Sequence, residues 1–473
     1  MEEIPKFKEK LRDTHINYKM KIFTTFSKWI GILLISILCN FCVHAQAIQK
    51  IDWHKDLNYL KNELPILHSN LFFQYPQASY ESDIESLKKQ IGGISDETMF
   101  IKIQQLLSKL GDSHTTSNFL HKLQRMYLPI VLETFDEGIF IVGTIDIDEN
   151  IMGNKLISIN GHPLKSIIDS VKTLYVAENE SWHKRNVTNY LINYDILKYF
   201  GFVDKEKVKL QMENYYGIPY EKTVRSIHVE DIDRDEVAYL RFSGRKNKRP
   251  RTTAIFGQKY LPKDSLYFVT YNRCTGRENE QMLAIQDSLN IDMNEFCTTQ
   301  PKKDKKSKEK TDVKPLPFFR HFRDSVFQAI KNQPVKKLVF DLSRNGGGTT
   351  AQGTAMIEKL AQMIDTTKTK VYVIVGRRTF SAAIIHTMEL KRLLNATIVG
   401  EPTGGKPSFY GGVDTRYLPS SCLQIRFSRS HRKTSLDEDV ANANTIIPDV
   451  LFPVTLASVT SGTDAIYDWI LKQ

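Results

Sequence analysis

GRRTFSAAIIHTMELKRLLNATIVGEPTGGKPSFYGG (residues 376–412) sets a serine, Ser381, between an apolar run and a helical one. KVYVIVG (370–376), just before it, is short and β-branched and reads as a buried strand, while AAIIHTMELKRLL (382–394) reads as a helix. A strand running straight into a helix is the unit of an α/β layer. The serine at the junction has two readings. It is either a helix cap, or a nucleophile whose following backbone N–H groups and helix dipole face a reacting carbonyl.

The strand and helix alternation extends outward. KKLVFDL (336–342) precedes TAMIEKLAQMI (354–364), and EVAYLRF (236–242) and SLYFVTYN (265–272) add further short apolar runs. Residues 236–473 are therefore expected to form an α/β core with largely parallel strands. Residues 126–235 change character: YLPIVLETFDEGIFIVGTID (127–146) is strand-like with a turn at Asp136-Glu137-Gly138. GNKLISINGHPLKSIIDSV (153–171) reads as strand, Asn160-Gly161 turn and helix, and resembles the core of a PDZ domain. Residues 171–203 look helical and exceed what a minimal PDZ domain needs. Residues 46–125 repeat apolar positions at helical spacing, with Ser95 or Asp96 capping SDETMFIKIQQLLSKLG (95–111).

Length and composition bound the function. A chain of 473 residues with 41% hydrophobic and 25% charged residues is ordinary globular material for more than one domain. The formal charge of +11 falls to +8 when the seven Lys/Arg and four Asp/Glu of residues 1–45 are set aside. Much of the remainder sits in PKKDKKSKEK (301–310), a solvated insertion near 298–315 with no aromatic interleaving, so no nucleic acid is expected as a partner.

Residues 1–45 read as an N-terminal extension and signal peptide. Lys21 and Lys28 precede the apolar run Trp29 to Leu38, and Val43-His44-Ala45 offers small residues for cleavage. Export to the periplasm or cell envelope follows, with membrane contact only through the signal or an uncleaved anchor. Cys274, Cys297 and Cys422 remain in the mature chain, too scattered for a zinc site, and a Cys274–Cys297 bridge is allowed.

Four phrases carry chemistry together: LGDSHTT (110–116), LVFDLSRNGGGTT (338–350), RTFSAA (378–383) and GEPTGGKP (400–407). In this order, with a PDZ-like segment between the first two, they resemble the serine peptidase family of C-terminal processing proteases, the tricorn protease core and interphotoreceptor retinoid-binding protein. The ending IIPDVLFPVTLASVTSGTDAIYDWIL (446–471) is similar to the close of exported bacterial members. The resemblance implies an α+β multidomain chain with a crotonase/ClpP-like core and Ser381 as nucleophile. It further implies Gly347 and Ala382 as oxyanion donors, protein or peptide substrates, and no metal or organic cofactor.

Two residues compete for the serine's proton. Lys406, 25 residues after Ser381, matches the lysine of a serine–lysine dyad and must be desolvated to act. His114, preceded by Ser113, matches the tricorn-like branch and needs the smaller pKa adjustment. His114 is the favoured base, Lys406 the alternative, and Glu438 in TSLDEDV the candidate acid that orients Ser113. Phe409 and Tyr410 are either cleft lining or packing aromatics. His386-Thr387-Met388-Glu389 is not the H-E-x-x-H of a zinc peptidase. The expectation is an exported, tail-specific-like serine endopeptidase, the alternative an inactive peptide- or apolar-ligand-binding protein on the same fold.

Overall fold

The apolar runs of the C-terminal half assemble into one six-stranded sheet, in the order Phe256–Leu261, Leu266–Tyr271, Lys337–Asp341, Lys370–Val375, Thr397–Gly400 and Val450–Leu451. The first pair is antiparallel and every later pairing is parallel. This is a computed structural model, and it describes residues 50–145, 149–232, 237–239, 249–279 and 315–473. The expected signal segment, Cys297 and the basic run 301–310 lie outside the described residues.

Parallel strands need cover on both faces, and the sequence supplies it. All six residues of Leu266–Tyr271 are buried. On one face Tyr267, Val269 and Tyr271 pack with helices Phe319–Asn332, Thr350–Met363 and Ala382–Leu394. On the other, Leu266 and Phe268 meet Tyr467 and Ile470 of the C-terminal helix Ala465–Lys472. Each fully buried Leu, Ile, Val or Phe stabilises by about 1.5–3 kcal/mol, so neither face tolerates exposure.

A second sheet of seven strands is built from residues 130–239. The helical stretch beyond it forms Glu180–Leu191 and Tyr194–Tyr199, and the first of these packs against strand Ile130–Phe135. A long hairpin, Ser408–Tyr417 with Gln424–Lys433, receives Thr116–Ser117 as a third strand. Through it the N-terminal helices join the C-terminal core. The buried carboxylate of Asp56 accepts from Ser420 N–H at 2.7 Å and Ser421 N–H at 2.9 Å.

Parallel strands all end at the same edge, so the loops after Asp341, Val375 and Gly400 gather there, the usual place for a site in such a sheet. Among the described residues no helix is long and apolar enough to cross a membrane. Cys274 is a buried free thiol, so the allowed Cys274–Cys297 bridge does not form.

Candidate active site

Ser381 stands where strand Lys370–Val375 gives way to helix Ala382–Leu394, and its backbone is at φ +55, ψ −126. A residue with a Cβ rarely occupies that region. Its side chain makes no capping hydrogen bond, so the cap reading has no geometric basis here. The turn is held in place by its neighbours. Thr379 donates to Leu342 O at 2.9 Å and accepts from Gly376 N–H at 3.0 Å, and Phe380 N–H donates to Asn345 O at 3.1 Å. Gly405 N–H donates to Thr379 O at 3.0 Å, which ties the GEPTGGKP loop to the same turn.

The glycine run approaches the serine from the neighbouring strand. Gly347 has φ +98, and a Cβ there would lie 2.9 Å from Phe380 O and 3.0 Å from Ala382 N. No other residue fits that position without displacing the serine turn. Its N–H, however, donates to Asn345 Oδ1 at 2.9 Å and is not free in this conformation. Gly347 O accepts from Cys274 N–H at 2.9 Å. A planar trans peptide then turns Gly348 N–H away from Cys274. Gly348 and Ala382 both line the cavity that holds Ser381, and neither N–H has an acceptor among the described residues. Ala382 heads its helix, where a free N–H is expected.

That cavity, about 1130 Å³, also takes in Ser113 and His114. His114 stacks on Phe380, the residue before the nucleophile, with ring centroids 4.7 Å apart, and on Phe409 at 5.8 Å. Phe409 is therefore a lining residue, whereas the Tyr410 hydroxyl accepts from Asn70 Nδ2 at 3.2 Å. Both ring nitrogens of His114 are buried without a hydrogen bond, and no bond joins it to Ser381. Asp112 fixes the loop: it accepts from His114 N–H at 2.9 Å, from Thr115 Oγ1 at 2.6 Å and from Ser428 Oγ at 2.7 Å, and lies 3.2 Å from His68 Nε2. Burial alone would raise its pKa, but the nearby imidazole of His114, with Nδ1 3.7 Å from Asp112 Oδ1, together with His68 and the Thr115 hydroxyl prevails and holds the carboxyl well below its ordinary range.

Lys406 follows the two glycines that pack behind the serine turn and does not line the cavity with Ser381. Glu438 is not beside Ser113 either. It lies on the surface, 69% exposed, paired with Lys433 at 2.5 Å. The acid that meets Ser113 is Glu178, whose Oε1 accepts from Ser113 N–H at 3.2 Å. The Ser113 hydroxyl and Glu178 Oε2 are buried beside each other without a closed hydrogen bond. Burial pushes the Glu178 carboxyl up, against the pull of Ser113 and the charges of His114 and Lys406.

Residues 178–182 reach the core from the segment 126–235 that carries most of the seven-stranded sheet. Asn179 Nδ2 donates to Gly404 O at 3.0 Å and to Asn444 O at 2.8 Å, and the Trp182 ring stacks on Phe380 at 4.1 Å. The only hint in the sequence was a helical stretch longer than the PDZ resemblance required. Among the described residues no group of three His, Cys, Asp or Glu is placed to hold a metal ion.

Residues 354–452 match Peptidase family S41. No curated protein sequence matches the chain. Among solved structures, mature CPAF complexed with lactacystin shares 12% identity and a TM-score of 0.56, covering 89% of this chain and 97% of that one. The photosystem II D1 C-terminal processing protease is similar at 12% identity and TM-score 0.37, over 85% of this chain and 93% of that one. A peptidase structure from Parabacteroides merdae gives 13%, 0.41, 89% and 96% in the same terms. At such identities the CPAF likeness is one of fold, and it runs nearly the length of both chains. Residues 354–452 are thus similar to peptidase family S41, and the likeness of fold to mature CPAF extends over most of the chain.

Proposed function

We propose that this protein is an exported serine endopeptidase that cuts peptide bonds through an acyl-enzyme on Ser381. The observation that carries the reading is the strained Ser381 turn, which opens into one cavity with His114 and with the N–H groups of Gly348 and Ala382. Ser381 Oγ attacks the carbonyl carbon as His114 takes its proton. The carbonyl oxygen becomes an oxyanion facing Ala382 N–H and Gly348 N–H, joined by Gly347 N–H if Asn345 releases it. His114 then protonates the leaving amine, and a water activated by the same histidine releases the acyl group and regenerates Ser381.

Ser113 and Glu178 act as positioning residues behind His114. The Glu178 carboxylate accepts from the Ser113 hydroxyl, whose oxygen then receives His114 N–H and steadies the imidazolium. Lys406 adds positive charge near Glu178 and is not the base. The PDZ-like region presents the substrate chain by strand addition, in keeping with tail-specific cleavage.

Labelling of the purified protein with a fluorophosphonate probe tests the reading. Wild type is expected to be labelled, Ser381→Ala not at all, His114→Ala far more slowly, and Lys406→Ala near the wild-type rate. Labelling that survives Ser381→Ala, or is absent from wild type, defeats the peptidase and leaves the ligand-binding alternative. Labelling lost in Lys406→Ala but kept in His114→Ala reassigns the base.

A further inference from the structure

Four arginines line the Ser381 cavity, and among its described residues only the carboxylate of Glu389, near Arg392, stands against them. Arg273, Arg392, Arg426 and Arg432 line it, and none of their side chains makes an ion pair or hydrogen bond among the described residues. A fifth cation of the lining, Lys433, is paired with Glu438. Glu389 is the only acid among the described residues of the lining, and it accepts from Thr354 Oγ1 at 2.8 and 3.0 Å. All four arginines are exposed at the mouth of the cleft, so their repulsion is screened by water and salt, yet their charges share one sign around one concave surface and attract an anion to it.

The arginines are spread along the cavity. Arg426 lies on the central strand of the three-stranded sheet, between Thr116 and Thr415. Alternation along that strand puts Arg426, Ser428 and Arg432 on one face, and Ser428 is bonded to Asp112 beside His114. On the nucleophile helix, Ala382, Ile385, Glu389 and Arg392 line the cavity at spacings of three and four, which is one helix face. Ten residues at about 1.5 Å each set Arg392 about 15 Å along the helix from Ala382. An extended peptide advancing about 3.3 Å per residue covers that distance in four to five residues.

We propose that this cleft selects polypeptides carrying carboxylates within about five residues of the bond that is cut, with Arg392, Arg426 and Arg432 as the specificity-determining residues. The proposal rests on the peptidase reading for the word "cut", but not for the binding itself. Peptide carboxylates come from Asp and Glu side chains or from a free C-terminus, and the test separates the two.

Three acetylated peptides of one length serve as probes: a Glu-rich peptide with an amidated end, its Gln counterpart with an amidated end, and the Gln peptide with a free C-terminal carboxylate. Their kcat/KM is measured on wild type and their binding to Ser381→Ala by fluorescence anisotropy. At least one carboxylate-bearing peptide is expected to exceed the Gln amide by about tenfold or more, an advantage that shrinks as salt is raised. Preference for the Glu amide assigns side chains as the source, and preference for the Gln acid assigns the C-terminus.

Arg426→Glu with Arg432→Glu is expected to shift preference toward a Lys-rich peptide, a gain that misfolding cannot produce. Equal binding and equal cleavage of all three peptides by wild type overturns the proposal. Selective binding to Ser381→Ala, with no labelling or cleavage by wild type, sinks the peptidase reading and leaves the carboxylate preference standing.

Discussion

Gly347 lies so close to Ser381 that a Cβ added to it would sit 2.7 Å from the serine's own Cβ. That contact belongs to two neighbouring parallel strands whose ends meet at one edge of the sheet. Gly347→Ala must therefore move the nucleophile turn, at a φ that alanine already resists. Fluorophosphonate labelling is expected to slow by about 10²–10³-fold, the scale of losing an oxyanion donor. Circular dichroism at 25 °C should remain that of a folded protein. Labelling within about twofold of wild type, on that same scale, would remove Gly347 from the oxyanion wall.

Glu178 and Glu438 make a paired test of which acid supports the base. Glu178→Gln keeps the shape but removes the charge that faces Ser113, and it is expected to lower kcat by about 10- to 100-fold with little change in KM. Glu438→Gln breaks only an exposed pair with Lys433, worth at most about 1 kcal/mol, and kcat should stay at the wild-type value. The reverse order of effects would restore Glu438 as the orienting residue.

What the sequence made legible is what local pattern can carry. The runs KKLVFDL and KVYVIVG announce buried strands because both faces of a parallel strand are apolar, and both strands are found. Ser381 and His114 are recognisable because short motifs surround them, and both reach the same cavity. Glu178 has no such motif. Its carboxylate meets Ser113 across 65 residues of chain, and neither periodicity nor composition encodes that contact. Glu438 entered only as one of three acids in a row, and a solvated surface turn produces the same pattern. The Gly347 N–H was equally opaque, because its acceptor is the side chain of Asn345 two residues earlier.

Asn345 is the hub behind that glycine. Fully buried, it donates through Nδ2 to Tyr271 O at 2.8 Å, and its Oδ1 accepts from Gly347 N–H and from the Cys274 thiol at 3.4 Å. Asn345→Ala leaves Tyr271 O and Gly347 N–H without these partners, at about 1–3 kcal/mol for each buried group left unsatisfied. Urea unfolding is expected to show a loss of about 2–5 kcal/mol with the m-value unchanged. A loss below about 0.5 kcal/mol, typical of a surface site, would mean the hub is not structural.

His386 supplies a pH dependence that does not involve the proposed chemistry. It is fully buried behind the nucleophile helix, with Nε2 3.0 Å from Thr350 O and Nδ1 3.4 Å from the Cys274 sulfur. Burial pushes its pKa from 6.5 down to about 4, so the folded protein holds it neutral where the unfolded chain would protonate it. The stability it contributes is complete above pH 6.5 and is lost as pH falls toward 4. The full loss is about 3 kcal/mol, of which about 2 kcal/mol is gone by pH 5. The substitution His386→Gln sets an amide N–H near Thr350 O without a titrating ring. Urea unfolding of wild type between pH 7.5 and 4.5 should therefore fall more steeply than that of His386→Gln. Glu178, shifted in the opposite sense, cancels because both proteins carry it. Parallel profiles would mean that His386 takes up its proton equally in the folded and unfolded chains, and the buried neutral imidazole would have to be abandoned.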